Sequence, residues 1–129
     1  MNTTIKQFNS IVEDLLQQTT SLLGTKYLFN FKTLLHFNYF LPIDKFTSTM
    51  LPYKHYIMTK NASFFMNKDV SLSEYANINI NNNDIIDLKK IFMNIDNESK
   101  DNIWESLQAL ILLCEERQSY NAIKQFSVK

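Results

Sequence analysis

Ala109-Leu110-Ile111-Leu112-Leu113-Cys114, at the centre of the stretch from Asn97 to Tyr120, is apolar almost all the way round a helix, with charge confined to the two ends of that stretch. Ile103, Leu107, Leu110 and Cys114 fall at i, i+4, i+7 and i+11, and Trp104, Leu107 and Ile111 occupy the adjoining stripe. A helix apolar on more than one stripe needs neighbours on more than one side, so this segment is expected to be enclosed by the rest of the chain. Asp96, Glu98, Ser99 and Asp101 suit its start, where side-chain oxygens meet unpaired N–H groups and negative charge meets the positive dipole end. Arg117 suits the opposite pole.

The flanking segments read as helices that could supply those neighbours. From Ile5 to Leu23 apolar residues recur at intervals of three and four, and Gly24, the only glycine, stands where the chain needs a positive φ to leave a helix. Thr25 is placed to cap a second helix, Lys26 to Phe40, with Tyr27 or Leu28, Phe31, Leu34 and Leu35 inward and Asn38 at the edge of the core. Tyr27, Phe29 and Phe31 also alternate as a strand would; helical neighbours favour the helix. Pro42 and Pro52 each suit a first turn, which predicts short helices over Ile43 to Leu51 and Pro52 to Thr59, meeting at a bend. Asn61 to Phe65 reads as a turn that tucks two phenylalanines inward. Residues 70–83 read as a loop or a short strand pair, and Asp84 to Asn94 as a helix with Ile85, Leu88 and Phe92 inward, continued by Ile95. Ile123 and Phe126 are expected to fold a tail back onto the apolar helix. The predicted fold is therefore all-α, a single domain over 1–129, with five or six helices bundled around the C-terminal apolar helix.

At 129 residues and 45% hydrophobic, a chain of this size can bury roughly two-thirds of its unfolded surface without disulfides or metals. Cys114 is the only cysteine and sits inside the apolar run, so it reads as a small buried hydrophobe. The N-terminus lacks the uninterrupted apolar run of a secretory signal, and no apolar run reaches the ~20 residues that span a bilayer. A soluble intracellular protein is expected. Fifteen asparagines, 13 isoleucines and 12 lysines stand against one arginine and one glycine, the signature of AT-rich coding. Glycine-rich phosphate loops, dinucleotide fingerprints and the strained serine elbow all need two or more glycines at fixed spacing, so those enzyme classes are excluded in their standard forms.

Residues that could carry chemistry are scattered. His36 and His55 are 19 positions apart, and neither has a cysteine, histidine or carboxylate at helical ligand spacing. The carboxylate pairs Asp84/Asp87 and Asp101/Glu105 lie opposite apolar stripes, as solvated faces do. The sequons at Asn2, Asn61 and Asn97 are no more than so asparagine-rich a chain produces by chance. No catalytic residue, metal or cofactor is expected. The exception to this blandness is residues 26–68, which hold 11 of the 17 aromatic residues and six lysines. Residues 24–68 sum to +5 and residues 69–129 to −4, so the two regions either face one another in the fold or permit head-to-tail association. Lys26, Lys32, Tyr53, Lys54, Tyr56 and Lys60 form the candidate interaction surface. A protein partner or self-association is the first reading, since aromatic residues are the usual anchors. Nucleic-acid contact through the same segment is the second, disfavoured by the near-absence of arginine and the zero net charge.

Phe46, Pro52, Tyr53, Ile57, Phe64 and Phe65, followed some forty residues later by Ile103, Trp104, Leu107 and Leu110, resemble the pattern of uncharacterised small helical proteins of large AT-rich DNA viruses that infect protists and algae. The resemblance implies a helical fold, a viral origin, and a place in the virion or in the host cytoplasm or nucleus during infection. It carries over no catalytic residue.

Overall fold

Thr4, Ile5 and Phe8 are the buried residues of α1 (Asn2–Gln18), the first helix of the computed structural model, which describes residues 2–67 and 92–127. Ile11, Val12, Leu15 and Leu16 continue that stripe half-buried. The expected single helix to Leu23 is instead broken at Thr19. There Thr19 Oγ1 donates to the Leu16 carbonyl and Thr20 Oγ1 to that of Gln17, at 2.9 and 2.8 Å. Hydroxyls bonding back in this way compete with the helical ladder, and a separate single turn, α2 (Thr20–Leu23), follows. Gly24 closes it at φ 76°, ψ −174°, a region essentially reserved for glycine. A Cβ there would meet nothing within 4 Å, so the requirement is set by the backbone alone.

The second predicted helix, α3 (Lys26–Phe37), ends three residues short of Phe40. Asn38 turns extended, and its Oδ1 accepts from the Phe40 N–H at 3.3 Å, a local turn that replaces the next helical bond. Thr25 does not cap through its side chain, because its backbone is already helical whereas a capping residue needs extended φ/ψ. Pro42 lies in the first turn of α4 (Leu41–Met50) and Pro52 in a 3-10 turn (Leu51–Tyr53), which bends the chain into α5 (Lys54–Met58). α5 ends in a Schellman motif, with the Asn61 N–H donating to the Tyr56 carbonyl and the Lys60 N–H to that of Ile57. The left-handed position, φ 54°, is held by Lys60. The expected turn at Asn61 to Phe65 is instead the start of α6 (Ala62–Asn67), because Asn61 Oδ1 accepts from the Phe64 N–H at 3.0 Å and caps it.

Asp96 Oδ1 accepts from the Ser99 N–H at 2.9 Å and starts α7 (Asn97–Ser127), 31 residues long. Ser99, through its hydroxyl and its backbone N–H, holds the Asp96 carboxyl below its ordinary pKa. The helix does not stop at Tyr120, and Ile123 is 67% exposed instead of folding back. No glycine or proline lies between Glu115 and Ser127 to end it.

α7 packs against α1, α4, the 3-10 turn and α5. Trp104, Leu110, Ile111 and Cys114 are buried, but Leu112 is 54% exposed. Among the described residues the apolar run is thus covered along one flank rather than enclosed on all sides. Ile5, Phe8, Ile43, Leu110 and Cys114 form one core cluster, edged by Ile11, Val12, Phe46, Leu107 and Leu113. Phe8 and Phe46 meet edge to face at 5.5 Å within it. Among the described residues 89% are helical and none is in a strand. The loop or strand pair expected at 70–83, and most of the helix expected at Asp84 to Asn94, lie outside the described residues; Phe92 and Ile95 are half-buried.

Candidate interaction surfaces

Three lysines of the predicted surface lie against carboxylates. Lys32 Nζ is 3.4 Å from Glu13, Lys54 Nζ 2.9 Å from Glu115, and Lys60 Nζ 3.7 Å from Asp101. Lys26 Nζ lies 5.6 Å from the centre of the Tyr27 ring. The basic middle of the chain and the acidic C-terminal helix therefore do face each other across the α5–α7 contact. These lysines do not gather into one stripe, since Lys32 is held by α1 whereas Lys54 and Lys60 line α7.

Tyr53 and Tyr56 are half-buried and belong to an aromatic cluster. Tyr56 stacks on Phe64 with ring centres 3.7 Å apart and planes within 3°. Tyr53 lies 5.7 Å from Phe64 and 6.4 Å from Phe65, and the cluster runs on through Trp104 to Phe92. Two polar contacts that sequence patterning does not announce lock the helices together. Gln108 of α7 donates through Nε2 to the Ile57 and Met58 carbonyls at 3.3 Å, satisfying acceptors at the end of α5. Arg117, its side chain 15% exposed, donates through Nε and a terminal nitrogen to both oxygens of Asp44, at 2.8 and 3.4 Å. Asp44 is the first cause of the rise in the Arg117 pKa.

The exposed apolar surface lies elsewhere. α3 has no buried residue at all. Phe29 and Phe37 are 68% and 81% exposed, and Tyr39 and Phe40 at the corner into α4 are exposed as well. Asn9 of α1 pins that corner, donating through Nδ2 to the Tyr39 carbonyl at 2.8 Å. The predicted inward positions Leu28, Phe31, Leu34 and Leu35 are half-buried, so apolar residues stand on both sides of this helix. Sequence periodicity misses the exposed ones because aromatic residues spread all round α3 give no polar face to mark the outside.

A second exposed feature is an open groove of about 480 Å³ between α1 and α7, lined by Gln7, Ser10, Ile11, Leu112, Leu113 and Glu116. At one end of it Thr4 Oγ1 donates to Glu116 Oε1 at 2.8 Å. His36 and His55 are exposed, each ring edge-on to a neighbouring aromatic, Phe37 and Tyr56. Cys114 is fully buried, with Sγ 4.0 Å from the Ile43 carbonyl, and burial pushes its thiol up to about 11. Among the described residues no group of three His, Cys, Asp or Glu could hold a metal ion, and no helix is long and apolar enough to cross a membrane. No known family, curated protein or solved structure matches this chain.

Proposed function

We propose that this chain is a non-enzymatic protein-interaction domain that holds a partner protein on the aromatic face of α3 and the corner after it. The supporting observation is that Phe29, Phe37, Tyr39 and Phe40 are all exposed within a span of 12 residues. Single exposed apolar residues are ordinary, but clustered aromatic ones mark contact surfaces and supply their anchors. The partner's matching surface is thus apolar at its centre. The resemblance to small proteins of AT-rich DNA viruses supports reading such a contact as part of a virion or of a viral or host complex. Nucleic-acid binding is the weaker reading, because carboxylates already offset Lys32, Lys54 and Lys60 and a phosphate would have to displace them.

The test is comparative capture from the native cell with the wild type and a Phe29→Ser/Phe37→Ser variant. Both rings are exposed, so the variant should keep its circular dichroism and melting temperature. A protein retained by the wild type and lost from the variant supports the proposal. Identical captures would refute it, and low-salt binding to nucleic acid that falls steeply with added salt would shift the reading to the second one.

A further inference from the structure

α7 carries a second exposed apolar feature, separate from the α3 face. Leu112 and Ile123, both more than half exposed, are eleven residues apart, which sets them within about 20° of each other on one face and about 16 Å apart along the axis. Leu112 borders the groove against α1. Thr4, near the start of α1, is level with Glu116, and every residue from Gln118 to Lys124 beyond that level is exposed. One helix thus bears a groove and, next to it along the same face, an exposed arm that presents Tyr120 and Ile123.

We propose that the surface is covered by a second copy of this chain, with the two α7 helices packed antiparallel about a twofold axis midway between Leu112 and Ile123. Ile123 of each copy then sits against Leu112 of the other, and Tyr120 enters the groove beside Leu113. The register follows from the spacing. Leu112, Glu116, Ser119 and Ile123 are separated by four, three and four residues, the interval of a helix–helix seam. Read in either direction this seam is apolar, polar, polar, apolar. Antiparallel pairing therefore gives each apolar residue an apolar partner and sets Glu116 opposite the Ser119 hydroxyl. Parallel pairing in register would set Glu116 against Glu116, which like charge disfavours. Residues 118–124 hold Lys124 and no carboxylate, and in this register they lie over residues 111–117 of the other copy, where Glu115 and Glu116 outnumber Arg117, so the charges agree with the register. A twofold contact of this kind is complete at two copies and builds no filament.

A single helix pair belongs to the small, weak class of interfaces, so sedimentation equilibrium of the full chain is run up to high micromolar concentration. A monomer–dimer equilibrium is expected, weakened about tenfold or more by Leu112→Lys and by Ile123→Lys, with circular dichroism unchanged because both side chains are exposed. Register is read from oxidative cross-linking. A Leu112→Cys chain mixed with an Ile123→Cys chain should form the mixed disulfide, while neither alone should cross-link efficiently, since like positions lie about 16 Å apart along the axis. Buried Cys114 stays silent. A monomer throughout, a dimer indifferent to both lysine substitutions, or a Leu112→Cys chain that links to itself as fast as the mixture would each overturn the proposal.

Discussion

Cys114 shows how position decides the chemistry of a side chain. The residue has no exposed surface, and desolvation, the largest cause, raises its thiol pKa from 9.0 to about 11. Only the thiolate is nucleophilic, so native protein should react with iodoacetamide at pH 8 at least about a hundredfold more slowly than denatured protein, which stopped-time mass spectrometry would read. The linkage has a definite sign. Between pH 9 and 11 the unfolded chain releases this proton before the folded one does, so the unfolded state binds fewer protons and stability falls as pH rises. Below pH 8 the thiol is protonated in both states and contributes no slope. Urea melts of the wild type and Cys114→Ala between pH 8 and 10 should diverge in slope, the wild type declining more. Parallel slopes would mean that the thiol is reached by water. The burial of this residue is readable from its place in the apolar run. The Asp44–Arg117 and Gln108–carbonyl contacts are not, since they join residues 73, 51 and 50 apart in sequence and depend on how α4 and α5 come to lie along α7.

At the scale of elements, most helices are legible because their signals are local. Apolar spacing marks α1, prolines mark the starts of α4 and the 3-10 turn, and Asp96 marks the start of α7. Ends are harder to read, because several weak local bonds compete within a turn. The paired threonines that split α1 from α2 and the Asn61 cap that makes α6 a helix turn on two side-chain hydrogen bonds and one, respectively. Lys60 is the element-scale test. It holds the left-handed position of the Schellman motif at φ 54°, which costs a non-glycine residue about 1 kcal/mol. Its ion pair with Asp101 is exposed on both sides, 44% and 60%, and so contributes little. Lys60→Gly should therefore stabilise the protein by up to about 1 kcal/mol in chemical denaturation. A clear loss of stability would show that the ion pair outweighs the backbone strain.

For the whole molecule, the opposite charges of the middle and C-terminal regions serve to hold the chain to itself. Lys54 and Glu115 are 61 positions apart and meet at 2.9 Å, joining α5 to α7. Their side chains are 45% and 38% exposed, so the pair contributes only about 0.2–1 kcal/mol. Reversal adds repulsion to that loss. Lys54→Glu should lower the melting temperature by several degrees, and Lys54→Glu combined with Glu115→Lys should recover most of it. If the double variant melts no higher than the single one, the two charges do not meet in solution.

Amino-acid order alone determined that this is a helical protein and where most of its helices begin. Those properties rest on spacing within one or two turns. Tertiary structure alone decided that α7 is covered along one flank among the described residues, that Lys32, Lys54 and Lys60 are offset by carboxylates, and that α3 turns Phe29 and Phe37 outward. Each of these depends on which face of one helix meets which face of another, and a chain with apolar residues on several faces of a helix does not encode that choice in local spacing.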